Sequence, residues 1–325
     1  MAKLAVNQAA TPAPGIGAGV PVLAFDVGGT TIKSAYVDEA GGLHGITRTP
    51  SPAKGPDAPA QILAIVKHKL TEYQKDQVIR GEPQAIGIGI PGIFDDDKGI
   101  GRYSENLGWQ DVDFAAKAAQ LFDLPVGFIH DVRAAGLAEM RVGAGQGAQN
   151  AAVITLGTGI AAALFLDGKP YAAGGLAGEI GHVIAVPHGE ACTCGNLGCL
   201  EAMASAAAIA RRYAKASGRD VAGAREVLEA AASGDTIAQA VWDSAVAALA
   251  AAIAQITGLL APDRIILGGG LAEAGATLLT PLQAQVAGLL RVSAPPQLVQ
   301  ATAGENAGLL GAALRARQVA AGGAA

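Results

Sequence analysis

Two short segments rich in glycine and threonine have residue types that suit polyphosphate binding. Residues 28–31 read GGTT and residues 157–159 read GTG, and each lies just after an apolar run. Glycine lets the backbone approach an anion, and successive amide groups then form a concave site of partial positive charge. One such segment alone is typical of an ordinary hairpin turn, but the pair favours nucleotide phosphates. The predicted contacts are Gly28, Gly29, Thr30, Gly157, Thr158 and Gly159.

Two further features would complete a nucleotide site. Asp26 lies two residues before Gly28, and hard cations prefer oxygen ligands, so this carboxylate could hold Mg²⁺ through water. Residues 267–270 read LGGG between a predicted strand and a helical pattern. A strand-to-helix glycine turn can receive the flat face of a nucleotide, although alone it indicates only a tight connection. Gly268 and Gly269 are the predicted contacts.

The three cysteines of the chain lie together and follow a histidine. His182, Cys192, Cys194 and Cys199 have the spacing H-x9-C-x-C-x4-C. Three soft thiolates and one imidazole predict a tetrahedral Zn²⁺ site, and four protein ligands make that zinc structural. The alternatives are free core thiols or a redox pair.

Two glutamates flank this cluster. Glu179 lies three residues before His182, and Glu201 lies two residues after Cys199. Two glutamates are most often a solvated surface pair. A metal beside them would hold both carboxylates rigidly, as acceptors of sugar hydroxyls require.

An internal repeat indicates how these segments are positioned. Residues 25–38 (FDVGGTTIKSAYVD) are echoed by residues 154–167 (ITLGTGIAAALFLD), and each predicts a strand, a turn and a second strand. Two such hairpins suggest two similar domains that face one another, with a chance match as the alternative. Alternating strands and helices predict an α/β protein. The predicted strands are residues 22–27, 34–37, 85–90, 126–129, 151–156, 160–166 and 264–267. The predicted helices are 58–78, 132–142, 202–216, 236–259, 278–290 and 307–319.

Composition excludes several classes of protein. The 325-residue chain has a net charge of −5 and no basic stripe, which argues against nucleic-acid binding. Three cysteines give no disulfide framework, so we expect a reduced cytoplasmic protein. The apolar stretch 246–260 is short and interrupted, which favours a buried helix over a membrane span. Residues 1–20 are rich in Ala, Pro and Gly, and we expect a removable disordered leader.

Two other nucleotide motifs are excluded. Residues 87–92 match G-x-G-x-x-G by letter, but IFDDDKG follows them and predicts a turn where a dinucleotide site needs a helix. The sequence also lacks G-x-x-x-x-G-K-[ST], which excludes a standard P-loop.

From about residue 22 to residue 319, the sequence resembles the ROK family (repressor, open reading frame, kinase) of bacterial sugar kinases and sugar-responsive repressors. The cysteine element is the most specific motif of the family and is complete. The motifs are DVGGTTIK (26–33), GIPG (89–92), ENLGW (105–109), HD (130–131), TLGTGI (155–160), GEIGH (178–182), CTCGNLGCLE (192–201) and LGGG (267–270).

The resemblance implies an actin/hexokinase-like (ribonuclease H-like) fold whose two domains enclose a cleft for ATP and Mg²⁺. Residues 21–130, completed by the C-terminal helix 307–319, would form the first domain. Residues 131–306, with the zinc knuckle 182–199, would form the second. Lys33 falls in the first ATP-binding motif, and the family resemblance implies a homodimer.

The resemblance also implies roles in catalysis. Asp131 would be the base that accepts the proton of the attacking sugar hydroxyl. One ring nitrogen of His182 would bind zinc and the other would face the sugar. The residues implied to bind the remaining sugar hydroxyls are Asn106, His130, Glu179, His182 and Glu201.

The chain departs from the family pattern beside the implied base. Family kinases usually have Asn immediately before this Asp and again two residues after it, where this chain has His130 and Arg133. A neutral imidazole can bond a sugar hydroxyl, but with another reach and only one donor. The alternative is a histidine that turns away and bonds to backbone. Glucose phosphorylated at the 6-hydroxyl is the first expectation, with N-acetylmannosamine, mannose, fructose and allose as alternatives.

Two functions without catalysis are alternatives to a kinase. Family repressors carry a winged helix before the first phosphate loop, whereas the 25 residues before Asp26 contain one basic residue. We therefore do not expect a repressor. A non-catalytic sugar-binding protein stays open only because of His130 and Arg133.

Overall fold

The computed structural model describes residues 15–76 and 78–323. Its first half is dominated by strands, with helices placed between them. The strands are β1 (Val22–Val27), β2 (Thr31–Val37), β3 (Leu43–Pro50), β4 (Ile86–Ile90), β5 (Ile93–Asp95), β6 (Ile100–Ser104), β7 (Trp109–Asp113) and β8 (Val126–His130). The helices are α1 (Ala58–Lys75), α2 (Phe114–Ala119) and α3 (Asp131–Val142).

Five of these strands form the first sheet, in the order β3-β2-β1-β4-β8. Strands β1 and β2 are an antiparallel hairpin in which Asp26 faces Lys33, while β4 and β8 run parallel to β1. Carboxyl ends of parallel strands meet at one edge of a sheet. The first glycine loop, after β1, and Asp131, after β8, therefore lie at the same edge. Strands β5, β6 and β7 form a separate small sheet.

The second half repeats this plan. Its strands are β9 (Ala151–Leu156), β10 (Ile160–Leu166), β11 (Lys169–Tyr171), β12 (Arg264–Gly268) and β13 (Gln297–Gln300). Its helices are α4 (Leu200–Ala204), α5 (Ala206–Ser217), α6 (Ala224–Ala232), α7 (Thr236–Leu260), α8 (Ala276–Leu289) and α9 (Ala307–Ala320).

The second sheet has the order β11-β10-β9-β12-β13. A hairpin of β9 and β10 is again followed by two parallel neighbours, as in the first sheet. The predicted internal repeat is therefore confirmed in the topology of the chain. The predicted division into residues 21–130 and 131–306 stays a prediction.

Helix α9 returns to the first sheet and packs against β1, β4, β8 and α3. Two glycines allow this close approach. A Cβ atom on Gly87 of β4 would collide with the carbonyl oxygen of Ala312, and one on Gly311 would collide with that of Ala134. Helix α9 thereby holds the first turn of α3, which carries Asp131, against the first sheet.

Helix α7 is long and apolar enough to cross a membrane by length and composition, and 56% of its most apolar window is buried. It packs against α4, α5, α6 and α8. Trp242, Leu249 and Ile253 lie in the largest hydrophobic cluster. A buried helix was the expectation for this stretch, and α7 has the packing of a core helix.

The last part of the predicted leader of residues 1–20, residues 15–20, packs against the folded body. Ile16 is buried, with 2% of its surface exposed. Arg317 of α9 donates hydrogen bonds to the carbonyl oxygens of Gly17 (2.6 Å) and Val20 (3.0 Å). Removal of residues 15–20 would therefore uncover apolar surface, and residues 1–14 of the predicted leader lie outside the described residues.

The helix predicted over residues 202–216 is in fact two helices, α4 and α5. Ser205 between them adopts an extended conformation, and its side chain accepts a hydrogen bond from the amide of Ala208. Serine is a preferred N-cap because its hydroxyl satisfies a free amide of the first turn. This break gives α4 its own direction, and α4 carries Glu201.

Candidate active site

Asp131 is the first residue of α3 and directly follows β8. Its Oδ1 accepts a hydrogen bond from the amide of Val132 (2.8 Å), and 32% of its side chain is exposed. Burial raises the pKa of Asp131 to about 6, while the Val132 amide and the charge of Arg133 act in the opposite direction. A carboxylate with this pKa is both ionised and basic near neutral pH, as a general base must be.

The junction between β8 and α3 is fixed by Asp96, which follows β5. Its Oδ1 accepts a hydrogen bond from the backbone amide of His130 (2.8 Å). The same carboxylate accepts two hydrogen bonds from Arg133, Nε to Oδ2 (2.7 Å) and one terminal nitrogen to Oδ1 (2.8 Å). Arg133 is only 2% exposed.

His130 lies beside the carboxylate of Asp131. Its side chain is buried, and its Nε2 is 3.1 Å from Asp131 Oδ1. Burial and the charge of Arg133 lower the pKa of His130 to about 3, so the imidazole is neutral at physiological pH. Within residues 15–76 and 78–323, Nδ1 is buried without a hydrogen-bond partner. The imidazole therefore does not bond to backbone among these residues, which was the alternative to a site role.

Asp26 lies close enough to Asp131 for their charges to interact. Burial raises the pKa of Asp26 to about 6, the charge of Asp131 adds to this rise, and Lys33 opposes it. A Cβ atom on Gly308 of α9 would lie 2.5 Å from the Asp26 carboxylate. Only glycine at this position lets the first turn of α9 reach Asp26.

The first glycine loop is a tight turn with exposed residues. The amide of Gly28 donates to the carbonyl oxygen of Thr31 (2.9 Å), and Ser51 Oγ donates to the carbonyl oxygen of Gly28 (2.6 Å). Gly29 and Thr30 are exposed. A Cβ atom on Gly29 would lie 3.6 Å from that of Asn106, so Asn106 borders the loop.

A cavity of about 410 Å³ joins the glycine turn after β12 to the start of α9. Gly269 has a φ of +84°, and a Cβ atom there would be 2.5 Å from the carbonyl oxygen of Leu156, so the turn needs glycine. Lys33 Nζ donates to the carbonyl oxygen of Glu305 (2.6 Å), which links the first hairpin to this cavity. The lining of this cavity includes the predicted nucleotide contacts Gly268 and Gly269. Thr155, Glu305 and Gly308, which were not predicted, also line it.

The second glycine loop contacts Glu201. Gly157 donates its amide to the carbonyl oxygen of Gly159 (3.0 Å). Glu201 Oε2 accepts a hydrogen bond from the amide of Ile160 (2.9 Å), and a Cβ atom on Gly159 would lie 2.6 Å from that oxygen. Thr158 and Gly159 are exposed.

Glu179 interacts electrostatically with both Glu201 and Asp131. Burial raises the pKa of Glu179, the charges of His182 and Arg133 lower it, and those of Glu201 and Asp131 raise it. Glu179 therefore lies within electrostatic range of Asp131 and of the other predicted sugar-binding residues His182 and Glu201.

The side chains of His182, Cys192, Cys194 and Cys199 converge, and their ligand atoms all lie within 4.8 Å of one another. Cys192 Sγ is 3.7 Å from His182 Nδ1, and the Sγ atoms of Cys194 and Cys199 are 3.6 Å apart. A tetrahedron with zinc–sulfur bonds of about 2.3 Å has edges of about 3.8 Å. The donor set therefore fits a tetrahedral metal, bound through Nδ1 of the histidine.

The loop around these ligands is built for sharp turns. Gly198 has a φ of +77°, and a Cβ atom there would collide with the carbonyl oxygen of Val186. The amide of Asn196 lowers the pKa of the Cys194 thiol to about 7, which favours the thiolate that a metal binds. Cys199 is the N-cap of α4, so the cluster ends where the helix of Glu201 begins.

Three residues that support the site were not predicted from the sequence. Asp96 holds the start of α3, Gly308 admits α9, and Glu139 ties α3 to the loop before α9. Glu139 is buried and accepts hydrogen bonds from the amides of Thr302 (3.1 Å) and Ala303 (2.7 Å). The run of three aspartates at 95–97 was a signal for Asp96, because a buried arginine requires an acidic partner.

A model of the ROK family matches residues 22–319. The chain belongs to the ROK family. A glucokinase of Halalkalibacterium halodurans is 35% identical over 307 residues, which cover 88% of this chain and 92% of that protein. An N-acetylmannosamine kinase of Escherichia coli is 34% identical over 302 residues, or 91% of this chain and 98% of that protein.

The fold is that of a ROK kinase of known structure. The crystal structure of a ROK family glucokinase from Streptomyces griseus, in complex with glucose and AMPPNP, has a TM-score of 0.74 and 29% identity. The matched region covers 92% of this chain and 100% of that chain. The protein is therefore an ATP-dependent sugar kinase with an actin/hexokinase-like α/β fold, and the predicted family, fold class and enzyme class are confirmed.

Proposed function

We propose that this ROK kinase transfers the γ-phosphoryl group of ATP to a hexose, with the 6-hydroxyl of glucose as the first candidate and Asp131 as the base. The observation that carries the proposal is the setting of Asp131. It is a partly exposed carboxylate at the edge shared by the first glycine loop and Asp26, with a pKa raised to about 6.

In this mechanism the sugar hydroxyl oxygen attacks the γ-phosphorus, its proton passes to Asp131, and ADP leaves. Phosphoryl transfer depends on positioning and on electrostatic stabilisation more than on covalent chemistry. The glycine loops would provide backbone amides to the phosphates. Lys33 lies near Asp26 and could add positive charge. Asp26 would hold Mg²⁺, which neutralises phosphate charge when bound.

The other proposed sugar contacts surround the base. Glu179 and Glu201 would accept hydrogen bonds from hydroxyls, and Asn106 beside the first loop would add an amide. His182 faces the cysteines with Nδ1, so Nε2 is the ring nitrogen left for the sugar. His130, beside Asp131, is proposed as the fifth contact.

We assign structural Zn²⁺ to the cysteine–histidine cluster, because its donors and spacing fit that ion. Zinc would fix His182 and Cys199 and, through them, the adjoining Glu179 and Glu201. We further propose that the enzyme acts in the cytoplasm as a homodimer and without nucleic acid or membrane partners.

A coupled assay of ADP release tests the proposed function. Glucose, mannose, fructose, N-acetylmannosamine and allose would be compared by kcat/KM, with ATP as donor. We expect glucose to give the highest value. A higher value for another hexose would move the assignment to that sugar, and absence of turnover with all five would contradict the proposal.

His130→Asn is expected to change which sugars are accepted while the enzyme stays active. Asn restores the residue usual in family kinases, and a site that pairs with a hydroxyl loses about 1–3 kcal/mol when a buried group is left unpaired. The measurement is kcat/KM across the same five sugars. An unchanged ranking, within about threefold for each sugar, would show that His130 does not determine specificity.

His68→Asn is the matched control. His68 lies on α1 with 71% of its side chain exposed, and it pairs with Glu72 of the same helix. This substitution should leave the ranking of sugars unchanged.

A further inference from the structure

A buried cation lies in the first turn of the helix that carries Asp131. Arg133 is 2% exposed and is one of the largest fully buried side chains among the described residues. Burying a charge is costly unless it is paired and hydrogen-bonded. The chain therefore carries this cation at a cost, at the position where family kinases usually have Asn.

The guanidinium group of Arg133 is held in one orientation. Asp96 accepts two of its hydrogen bonds, and the carbonyl oxygen of Phe94 accepts a third (2.6 Å). Because Asp96 also binds the amide of His130, one carboxylate fixes the residues on both sides of Asp131. Arg315 of α9 in turn donates to the carbonyl oxygen of Asp96 (2.9 Å).

The charge of Arg133 lowers the pKa of two carboxylates of the site. It opposes the rise in pKa that burial causes at Asp131, and it does the same at Glu179. Negative charges face Asp131 from three other elements: Asp26 on β1, Asp96 after β5, and Glu179 before the turn of His182. His130 beside it is neutral, and the charge of Arg133 lowers the pKa of Asp131. Lys33 does the same for Asp26, and Arg315 lies at the carbonyl oxygen of Asp96.

We propose that Arg133, fixed by Asp96, is a positioning residue that keeps Asp131 ionised and correctly placed to accept the proton of the sugar hydroxyl. The inference rests on the proposed role of Asp131 as base. It goes beyond that role because it assigns a function to a buried ion pair that touches neither sugar nor nucleotide. A purely structural pair would fill the same space without affecting the base.

A variant in which both members of the Arg133–Asp96 pair are neutral distinguishes a positioning role from a purely structural one. In the double variant Asp96→Asn/Arg133→Met both charges are gone, and replacing a buried ion pair by neutral residues often leaves stability unchanged. We expect the thermal midpoint to stay near that of the wild type. The acid limb of the pH profile of kcat/KM should move up, because the charge of Arg133 lowers the pKa of Asp131 more than the charge of Asp96 raises it. The shift should be smaller than the roughly one to three pH units that a lone neighbouring cation contributes. Arg133→Lys, which keeps the charge, should move the limb less.

The control is the pair Lys69 and Glu72 on α1, 2.6 Å apart. Its neutral double variant, Glu72→Gln/Lys69→Met, should change neither the acid limb nor kcat. A folded Asp96→Asn/Arg133→Met enzyme with the wild-type limb and kcat would overturn the proposal. If that variant does not fold, Asp96→Glu tests the placement instead. It should lower kcat by about tenfold or more at unchanged KM, and an unchanged kcat would overturn the proposal.

Failure of the base assignment is distinguishable from failure of this inference. If Asp131→Asn keeps its activity, Asp131 is not the base, whatever the Arg133 variants do. If Asp131→Asn is inactive and the Arg133 variants behave as wild type, only the role of Arg133 is wrong.

Discussion

Asp131→Asn should lower kcat by about 10²–10⁴-fold while sugar binding stays nearly unchanged, because general-base assistance contributes a factor of that size. The amide has the shape of the carboxylate, and its oxygen can still accept the hydrogen bond from Val132, but it cannot take up the proton of the sugar hydroxyl. The coupled assay gives kcat, and calorimetric titration with glucose gives the affinity.

Asp57→Asn is the matched control for this substitution. Asp57 is exposed, and its side chain makes no capping hydrogen bond to α1, so this variant should keep full activity. If Asp131→Asn keeps more than about a tenth of wild-type turnover, another group is the base.

The pH profile of the wild type gives an independent test of the same assignment. Burial raises the pKa of Asp131 to about 6, so the ionised base is present above that pH and is lost as the pH falls through it. We expect kcat/KM to fall below about pH 6. Asp26 has a similarly raised pKa, so the acid limb reports on two interacting carboxylates. A limb near pH 4 would contradict a buried base.

Cys194→Ala is expected to lose both the metal and the affinity for sugar. Purified wild-type protein should contain one zinc per chain, and the variant should contain much less, because three ligands do not complete the tetrahedral shell. Without the metal, Glu179 and Glu201 lose the support of His182 and Cys199. Each hydroxyl hydrogen bond contributes about 0.5–1.5 kcal/mol, so loss of two or more should raise KM by about tenfold.

Thr193→Ala is the control, since Thr193 is exposed in the same loop and offers no ligand to the cluster. Elemental analysis and sugar KM would be measured on both variants. Metal-free protein with full activity would contradict the claim that the knuckle organises the two glutamates.

The hairpins could be predicted from sequence because each carries its own signal. Strands β9 and β10 begin and end where the apolar runs at 151–156 and 160–166 do, and β1 agrees with the run at 22–27. A local pattern of apolar residues closed by glycine specifies a hairpin without distant partners. The two similar sheets follow from the same repeat.

Other features could not be predicted because they depend on distant residues. The small sheet of β5, β6 and β7 is made of strands of three to five residues, too short for a clear period. Asp96 lies 37 residues before Arg133 in sequence, and only the fold brings the two together. Ser205 lies within a continuous helical pattern in the sequence, and only its extended backbone and its capping hydrogen bond with Ala208 show that α4 and α5 are separate.

The site was predicted in part for a similar reason. The metal cluster lies within 18 residues of sequence, so its members were recognisable together. The convergence of Asp26, Asp131 and Glu179 comes from three distant segments, and only the family resemblance suggested it. The setting of His130, buried with Nε2 beside the base, could not be read from its position next to Asp131.

The return of α9 to the first sheet has a consequence for how the protein forms during synthesis. Strands β1, β4 and β8 leave the ribosome early, yet the helix that covers them ends at Ala320. Ala24 and Ala35 share a hydrophobic cluster with Leu309, Leu310 and Ala313, so this face of the sheet stays uncovered until α9 has been translated. Uncovered apolar surface of this kind is prone to aggregate, and contacts that span the chain form slowly. The nascent enzyme therefore passes through a period in which one face of its first sheet lacks its cover, and the active site is assembled last.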